Sequence, residues 1–198
     1  MKKLAIIGSA LTWGAAQIID AVRRSNSYEV TAIFDNDPNA LGQRILDVPV
    51  IASSSDIYGH WKNSNFEEVV IAIGGNLGER QKIFDSLQAL GVPFANVIDS
   101  TADIRSEVKL GVGNVILANV FIGPFVSIGN NCYIITNTCI NHDSVVGSHV
   151  YFSAGCVVAG NVKIGDRVRF DTASGAKAKI NVNNDSTIGP GKILIESI

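Results

Sequence analysis

Little in this sequence points to a membrane, a nucleic acid or a metal. No apolar run in its 198 residues approaches the roughly 20 that a membrane span needs. Met1-Lys2-Lys3 has the charge of a signal peptide, but the apolar stretch Leu4-Ala5-Ile6-Ile7 before Gly8 is far too short for its core. The formal charge is −2 and the lysines and arginines are scattered, so the basic patch that nucleic-acid binding requires is missing. Cys132, Cys139 and Cys156 are too few and too irregularly spaced for a disulfide framework or a zinc site. The expectation is small buried residues in a reducing cytoplasm.

What the sequence does have is a period. Stepping by six from Ile104 through Leu110 and Ile116 to Ile188 and Leu194 meets an apolar residue at every one of sixteen positions. Glycine follows it at Gly111, Gly123, Gly129, Gly147, Gly165 and Gly189. Small or β-branched residues stand four after it, as in Val120, Val126, Cys132, Thr138, Ser144, Val150, Cys156, Val162 and Val168. A period of six suits neither an amphipathic helix nor a long alternating strand. It suits a solenoid of short strands and turns. The apolar residue then points inward, the glycine eases a tight corner and the small residue fills the narrow interior. Residues 101–198 are therefore expected to be an all-β solenoid.

Residues 1–100 read as a small Rossmann-like α/β domain. Strands are expected over residues 3–7, 30–34 and 69–73, with a further short one at 94–98. Helices are expected over 14–24, from Ile18, Ile19 and Val22, and over 77–90, from Ile83, Leu87 and Leu90 with Gly91 as the stop. Alternating strands and helices imply a parallel sheet whose ligands sit at the carboxyl ends of the strands. Gly8, Asp35 and Gly74 stand at such ends. Gly8 and Asp35 alone also fit a dinucleotide fold, but about 100 residues is short for one, and a lone pattern of this kind is weak.

The repeat is similar to that of the left-handed parallel β-helix acyltransferases, in which three hexapeptides make one triangular coil. That resemblance stacks residue n on residue n+18, about 4.8 Å away. His142 and Gly160 then share a corner on adjacent coils. Acetyl transfer from a thioester needs a base for the acceptor's proton and a donor for the oxygen that becomes negative. An imidazole, with a free pKa of about 6.5, suits the first role and a glycine N–H the second.

The segment Asn141-His142-Asp143-Ser144-Val145-Val146-Gly147, with Ser153-Ala154-Gly155 and Ala159-Gly160-Asn161-Val162-Lys163-Ile164-Gly165, resembles the sialic acid O-acetyltransferase and bacillosamine N-acetyltransferase family of bacterial surface-sugar enzymes. The resemblance implies His142 as catalytic base, Asp143 as its orienting acid and the Gly160 amide as oxyanion donor. It also implies acetyl-CoA as co-substrate, no metal, a nucleotide-linked sugar as acceptor and a homotrimer. A nucleotide handle would explain the amino domain and favours an amine acceptor. A sialic acid-type hydroxyl and a non-catalytic sugar-nucleotide-binding relative are the alternatives. A metal enzyme of the γ-carbonic anhydrase kind needs about three histidine ligands, whereas the solenoid holds only His142 and His149, with His60 outside it.

The sequence also departs from this family. Where relatives have G-x-G-G-H-G, this chain reads Gly8-Ser9-Ala10-Leu11-Thr12-Trp13-Gly14. Gly8, Ser9 and the amides near Gly14 are left as candidates for phosphate, and Trp13 either stacks on a base or is buried. Asp35 and Asp37 stand where the family's acidic pair meets the nucleotide, or else form a strand-end turn. Tyr151 replaces a second histidine implied to contact the coenzyme. Lys177-Ala178-Lys179 replaces an apolar turn, so these lysines either meet coenzyme A phosphates or lie on a solvated corner. His149 is expected to be a surface residue.

Overall fold

Four apolar residues in a row, Leu4, Ala5, Ile6 and Ile7, call for cover on both faces of a sheet, and all four are buried in β1 (Lys2–Ile7). The computed structural model describes residues 1–8 and 14–198, in two compact units, Met1–Ile98 and Asp99–Ile198. In the first unit, β1 is followed by α1 (Gly14–Ser25), β2 (Tyr28–Phe34), β3 (Arg44–Ile45), β4 (Val48–Ala52), α2 (Ile57–Lys62), β5 (Glu68–Ile71) and α3 (Leu77–Ala89). The sheet order is β3-β4-β2-β1-β5, parallel except for the β3–β4 hairpin. α1 buries the expected Ile18, Ile19 and Val22 and packs on β2. Ile57 of α2 and Phe84 and Leu87 of α3 join Ala5, Ile7, Phe34 and Ile71 in one core.

Three details differ from the sequence reading. β4 and its hairpin were not expected, because Pro49 argues against a strand and no Asn-Gly marks the turn. Leu46 and Asp47 make that turn with φ of 45° and 69°. α3 buries Arg80 and Phe84 with Leu87, while Leu90 is 47% exposed. The expected strand at 94–98 is a single bridge at Phe94 and a two-residue strand at Val97–Ile98.

In the second unit, two-residue strands recur every six residues from Asp103–Ile104 to Ile193–Leu194. Each pairs in parallel with the strand eighteen residues on, as in Phe121↔Cys139, Ser127↔Val145 and Tyr133↔Tyr151. Three parallel sheets result, one to a face of the coil. The six-residue apolar column is buried from Ile116 to Leu194, and the small residues four later, Val120 to Val168, are buried beside it. Interior polar side chains are paired at the corners: Thr138 Oγ1 donates to the Ser153 carbonyl at 3.1 Å and Ser144 Oγ to the Ala159 carbonyl at 3.1 Å.

The corners work differently from expectation. Every sixth residue from Glu107 to Gly191 has a left-handed backbone, including Asn119, Asn131, Asn137, Asp143, Asn161 and Asp185. That turn lies two residues beyond the repeat glycines, which are not left-handed themselves. The glycines instead let coils approach: a Cβ on Gly129 would stand 2.8 Å from the Gly147 carbonyl carbon of the next coil. His149, expected on the surface, is 6% exposed, with Nδ1 2.9 Å from Asn131 Nδ2 one coil back. Asn131 packs beneath it, so the imidazole is a partnered interior group.

Candidate functional site

One corner of the coil carries Pro124-Phe125, His142-Asp143, Gly160-Asn161 and Ala178-Lys179 on successive turns. The backbone ties them together in order. Asp143 N donates to the Pro124 carbonyl at 3.1 Å, Asn161 N to the His142 carbonyl at 2.9 Å and Lys179 N to the Gly160 carbonyl at 3.2 Å. The period of eighteen thus brings His142 and Gly160 to one place, although they are far apart in sequence.

His142 and Asp143 are about half exposed, and His142 Nδ1 lies 2.7 Å from Asp143 Oδ2. An ionised carboxylate only accepts, so Nδ1 carries the proton and Nε2 presents a lone pair. Nε2 has no hydrogen-bond partner among the described residues, and neither has the Gly160 N–H. A Cβ on Gly160 would come within 2.6 Å of Nε2, so the ring lies directly over this glycine. The Nε2 lone pair and an unengaged amide are thus neighbours at one corner, the two groups that addition to a carbonyl calls for.

Ser144 is the residue here that the repeat pattern hid, because it read only as a small interior position. It is fully buried and bridges the loop that presents Gly160: its Oγ donates to the Ala159 carbonyl and accepts from Val162 N at 3.2 Å. Cys139 lies three residues before His142, and burial pushes its thiol above the usual cysteine range despite a contact from Asn141 Nδ2. A raised pKa lowers the fraction of thiolate, the nucleophilic form.

Lys177 and Lys179 are exposed, Lys179 one coil beyond Asn161. Tyr151 is 5% exposed, with its ring 6.2 Å from that of Tyr133 and the Arg169 guanidinium 4.7 Å over its face.

The first unit holds a cavity of about 280 Å³ at the carboxyl ends of β1 and β2, lined by Ile7, Gly8, Phe34, Asp35, Asn36, Ser54, Ile73, Glu79 and Ile83. The sheet order reverses at β1, the place where parallel sheets bind ligands. Gly8 has φ of 87° and donates its N–H to the Phe34 carbonyl at 2.7 Å, so it contributes space more than an amide. Asp35 lines the cavity and its Oδ1 accepts from Asp37 N at 2.8 Å. Asp37 closes the next turn by accepting from Asn39 N at 2.9 Å and is not among the lining residues. Gly74 adjoins Ile73 without lining the cavity. Ser9 and Trp13 lie outside the described residues.

Asn36 was not anticipated. Its Oδ1 accepts from Ser53 Oγ at 2.8 Å, Ser54 Oγ at 2.8 Å and Ser54 N at 3.1 Å, fixing one wall. The run of serines after β4 was the only sequence signal for it. Among the described residues no cluster of three or more His, Cys, Asp or Glu side chains could hold a metal, and no helix is long and apolar enough to cross a membrane.

Comparison with known proteins bears out the resemblance read from the sequence. Residues 3–87 match the family described as the PglD N-terminal domain. PerB from Caulobacter crescentus, solved in complex with CoA and GDP-perosamine, is 25% identical with a TM-score of 0.91, the match covering 100% of this chain and 91% of that one. A mutant of GDP-perosamine N-acetyl transferase from Caulobacter crescentus, with alanine in place of a histidine and the same two ligands, is 24% identical with a TM-score of 0.91, covering 100% and 90%. The acetyltransferase domain of PglB from Neisseria gonorrhoeae, in complex with acetyl coenzyme A, is 22% identical with a TM-score of 0.88, covering 100% and 92%. The chain has the fold of these bacterial sugar acetyltransferases, with an α/β unit before a β-helix.

Proposed function

We propose that a chain with this fold and this corner is an acetyl-CoA-dependent N-acetyltransferase acting on the amine of a nucleotide-linked sugar. The observation that carries the reading is the His142 imidazole, oriented by Asp143 and lying over Gly160 beside an unengaged amide. The neighbours solved with CoA and GDP-perosamine, or with acetyl coenzyme A, support both substrates.

The chemistry follows from the groups present. The sugar amine attacks the thioester carbonyl, and Nε2 takes the proton that the nitrogen loses. Gly160 N–H stabilises the oxyanion. Collapse breaks the C–S bond, and the imidazolium returns its proton to the departing thiolate. Transfer is direct in this scheme, from thioester to amine, with no acyl group carried by the protein.

The cavity in the first unit takes the nucleotide, with Asp35 toward base or ribose, Asp37 bracing the turn beside it and Gly8 near the phosphates. Lys177 and Lys179 are the proposed coenzyme contacts, exposed point charges for phosphate, while Tyr151, buried beneath Arg169, supports that face from within. The assembly is a homotrimer, and a reducing cytoplasm suits three cysteines that form no disulfide. Thiol release by the purified protein, with acetyl-CoA and a panel of UDP-, GDP-, dTDP- and CMP-linked amino sugars, tests this reading. Turnover with at least one of them is expected. Turnover with none of them, or with the matching hydroxyl sugars alone when these are added to the panel, would overturn it.

A further inference from the structure

Phe125 occupies a position that disfavours it twice. Its backbone is left-handed, with φ of 61°, where a side chain with a Cβ meets steric resistance. Apart from Ala173, the other corner residues in this conformation between Glu107 and Gly191 are glycine or carry a polar side chain. Burial of the ring would offset the strain, yet Phe125 is 60% exposed. A strained and unburied aromatic residue calls for a functional explanation.

Register supplies one. Phe125 stands eighteen residues before Asp143, in the same backbone conformation, and Pro124 stands eighteen before His142. Phe125 therefore lies one coil below Asp143, about 4.8 Å down the stack, with its exposed ring at the same corner as the His142–Asp143 pair. The C–H face of a pyranose carries partial positive charge and packs well on the negative face of an aromatic ring. Building on the acetyltransferase reading above, we propose that Phe125 is a specificity-determining contact: its ring is the floor on which the acceptor sugar packs while the amine reaches Nε2 of His142.

Steady-state kinetics on Phe125→Gly, Phe125→Asn and Phe125→Tyr test this. Glycine and asparagine both accept the left-handed turn, so the melting temperature should equal or exceed the parent's. The KM for the nucleotide sugar should rise about tenfold in both. The KM for acetyl-CoA and inhibition by the free nucleoside diphosphate should stay unchanged, and Phe125→Tyr should retain the parent's values. An unchanged acceptor KM in Phe125→Gly would overturn the proposal. So would a loss of assembly on sedimentation, which would make the ring a subunit contact. A parent that acetylates no nucleotide-linked amine would instead overturn the acetyltransferase reading on which the proposal rests.

Discussion

The imidazole of His142 lies over the α-carbon of Gly160, so that a methyl group there would stand 2.6 Å from Nε2 and 2.7 Å from Cε1. Gly160 is thus present for the space it leaves, since its backbone is not left-handed. Gly160→Ala should push the exposed ring aside and leave the coil folded. A displacement of about 1 Å can cost roughly 10²-fold in rate, and kcat should fall by that order with little change in melting temperature. A variant with the parent's kcat would show that the ring's place over Gly160 is incidental.

His142→Ala and His142→Asn should each lower kcat by about 10²–10⁴, the usual range for loss of a general base. The side chain is 55% exposed and contributes little packing, so stability should hold. Asp143→Asn keeps a hydrogen-bonding group beside Nδ1 and should cost less. Rates within a factor of about three of the parent for His142→Ala would end the general-base account.

The period of six made the coil legible because each position has a fixed duty: inward, outward or corner. The same regularity brought His142 and Gly160 together, in agreement with the Ala159-Gly160-Asn161-Val162 segment that carries the family resemblance. What escaped were features that depend on conformation more than on residue type. The left-handed corners read as ordinary Asn, Asp or Lys, and the repeat glycines drew attention away from them. Ser144 looked like filling until its two hydrogen bonds to the Gly160 loop were visible. His149 looked solvated because nothing in the sequence reveals its pairing with Asn131. In the first unit, Asn36 depends on a strand, Val48–Ala52, whose proline masks it.

Asp35 and Asp37 can be told apart by kinetics. Asp35 lines the cavity, whereas Asp37 braces the following turn. Asp35→Ala should raise the KM for the nucleotide sugar and leave that for acetyl-CoA nearly unchanged. Asp37→Ala should have the same direction and a smaller effect. Equal effects on both substrates would point to folding damage instead.

Tyr28 gives the first unit an alkaline limit. Burial, together with its hydrogen bond to Glu68 Oε2 at 3.0 Å, pushes its hydroxyl up to about 12. The folded state then holds the proton more tightly than the unfolded chain, where tyrosine titrates near 10. This contribution is complete below about pH 10 and is lost as pH rises toward 12. The parent's melting temperature should fall relative to that of Tyr28→Phe across this window, as followed by circular dichroism. Parallel curves would show that Tyr28 ionises equally in both states.

The trimer is the prediction on which a complete site depends. A corner of a coil is convex, and His142 and Asp143 are both about half exposed, whereas ligand sites are concave and exclude much of the water. The sheet face that leads into this corner presents outward Phe121, Cys139, Val157 and Ile193, in register at intervals of eighteen with the buried Gly175 between the last two. Val157 and Ile193 are 50% and 52% exposed, and Ile195 beyond them is 72% exposed. An apolar stripe of this kind marks an interaction surface, and cyclic packing of three copies would set each His142 corner against a neighbour and form the missing cleft. Sedimentation should therefore find a trimer, and Val157→Lys combined with Ile193→Lys should yield folded monomers with little activity. A monomeric parent that keeps full specific activity at nanomolar concentration would rule out a shared site, because His142 and Gly160 would then have to exclude water without help.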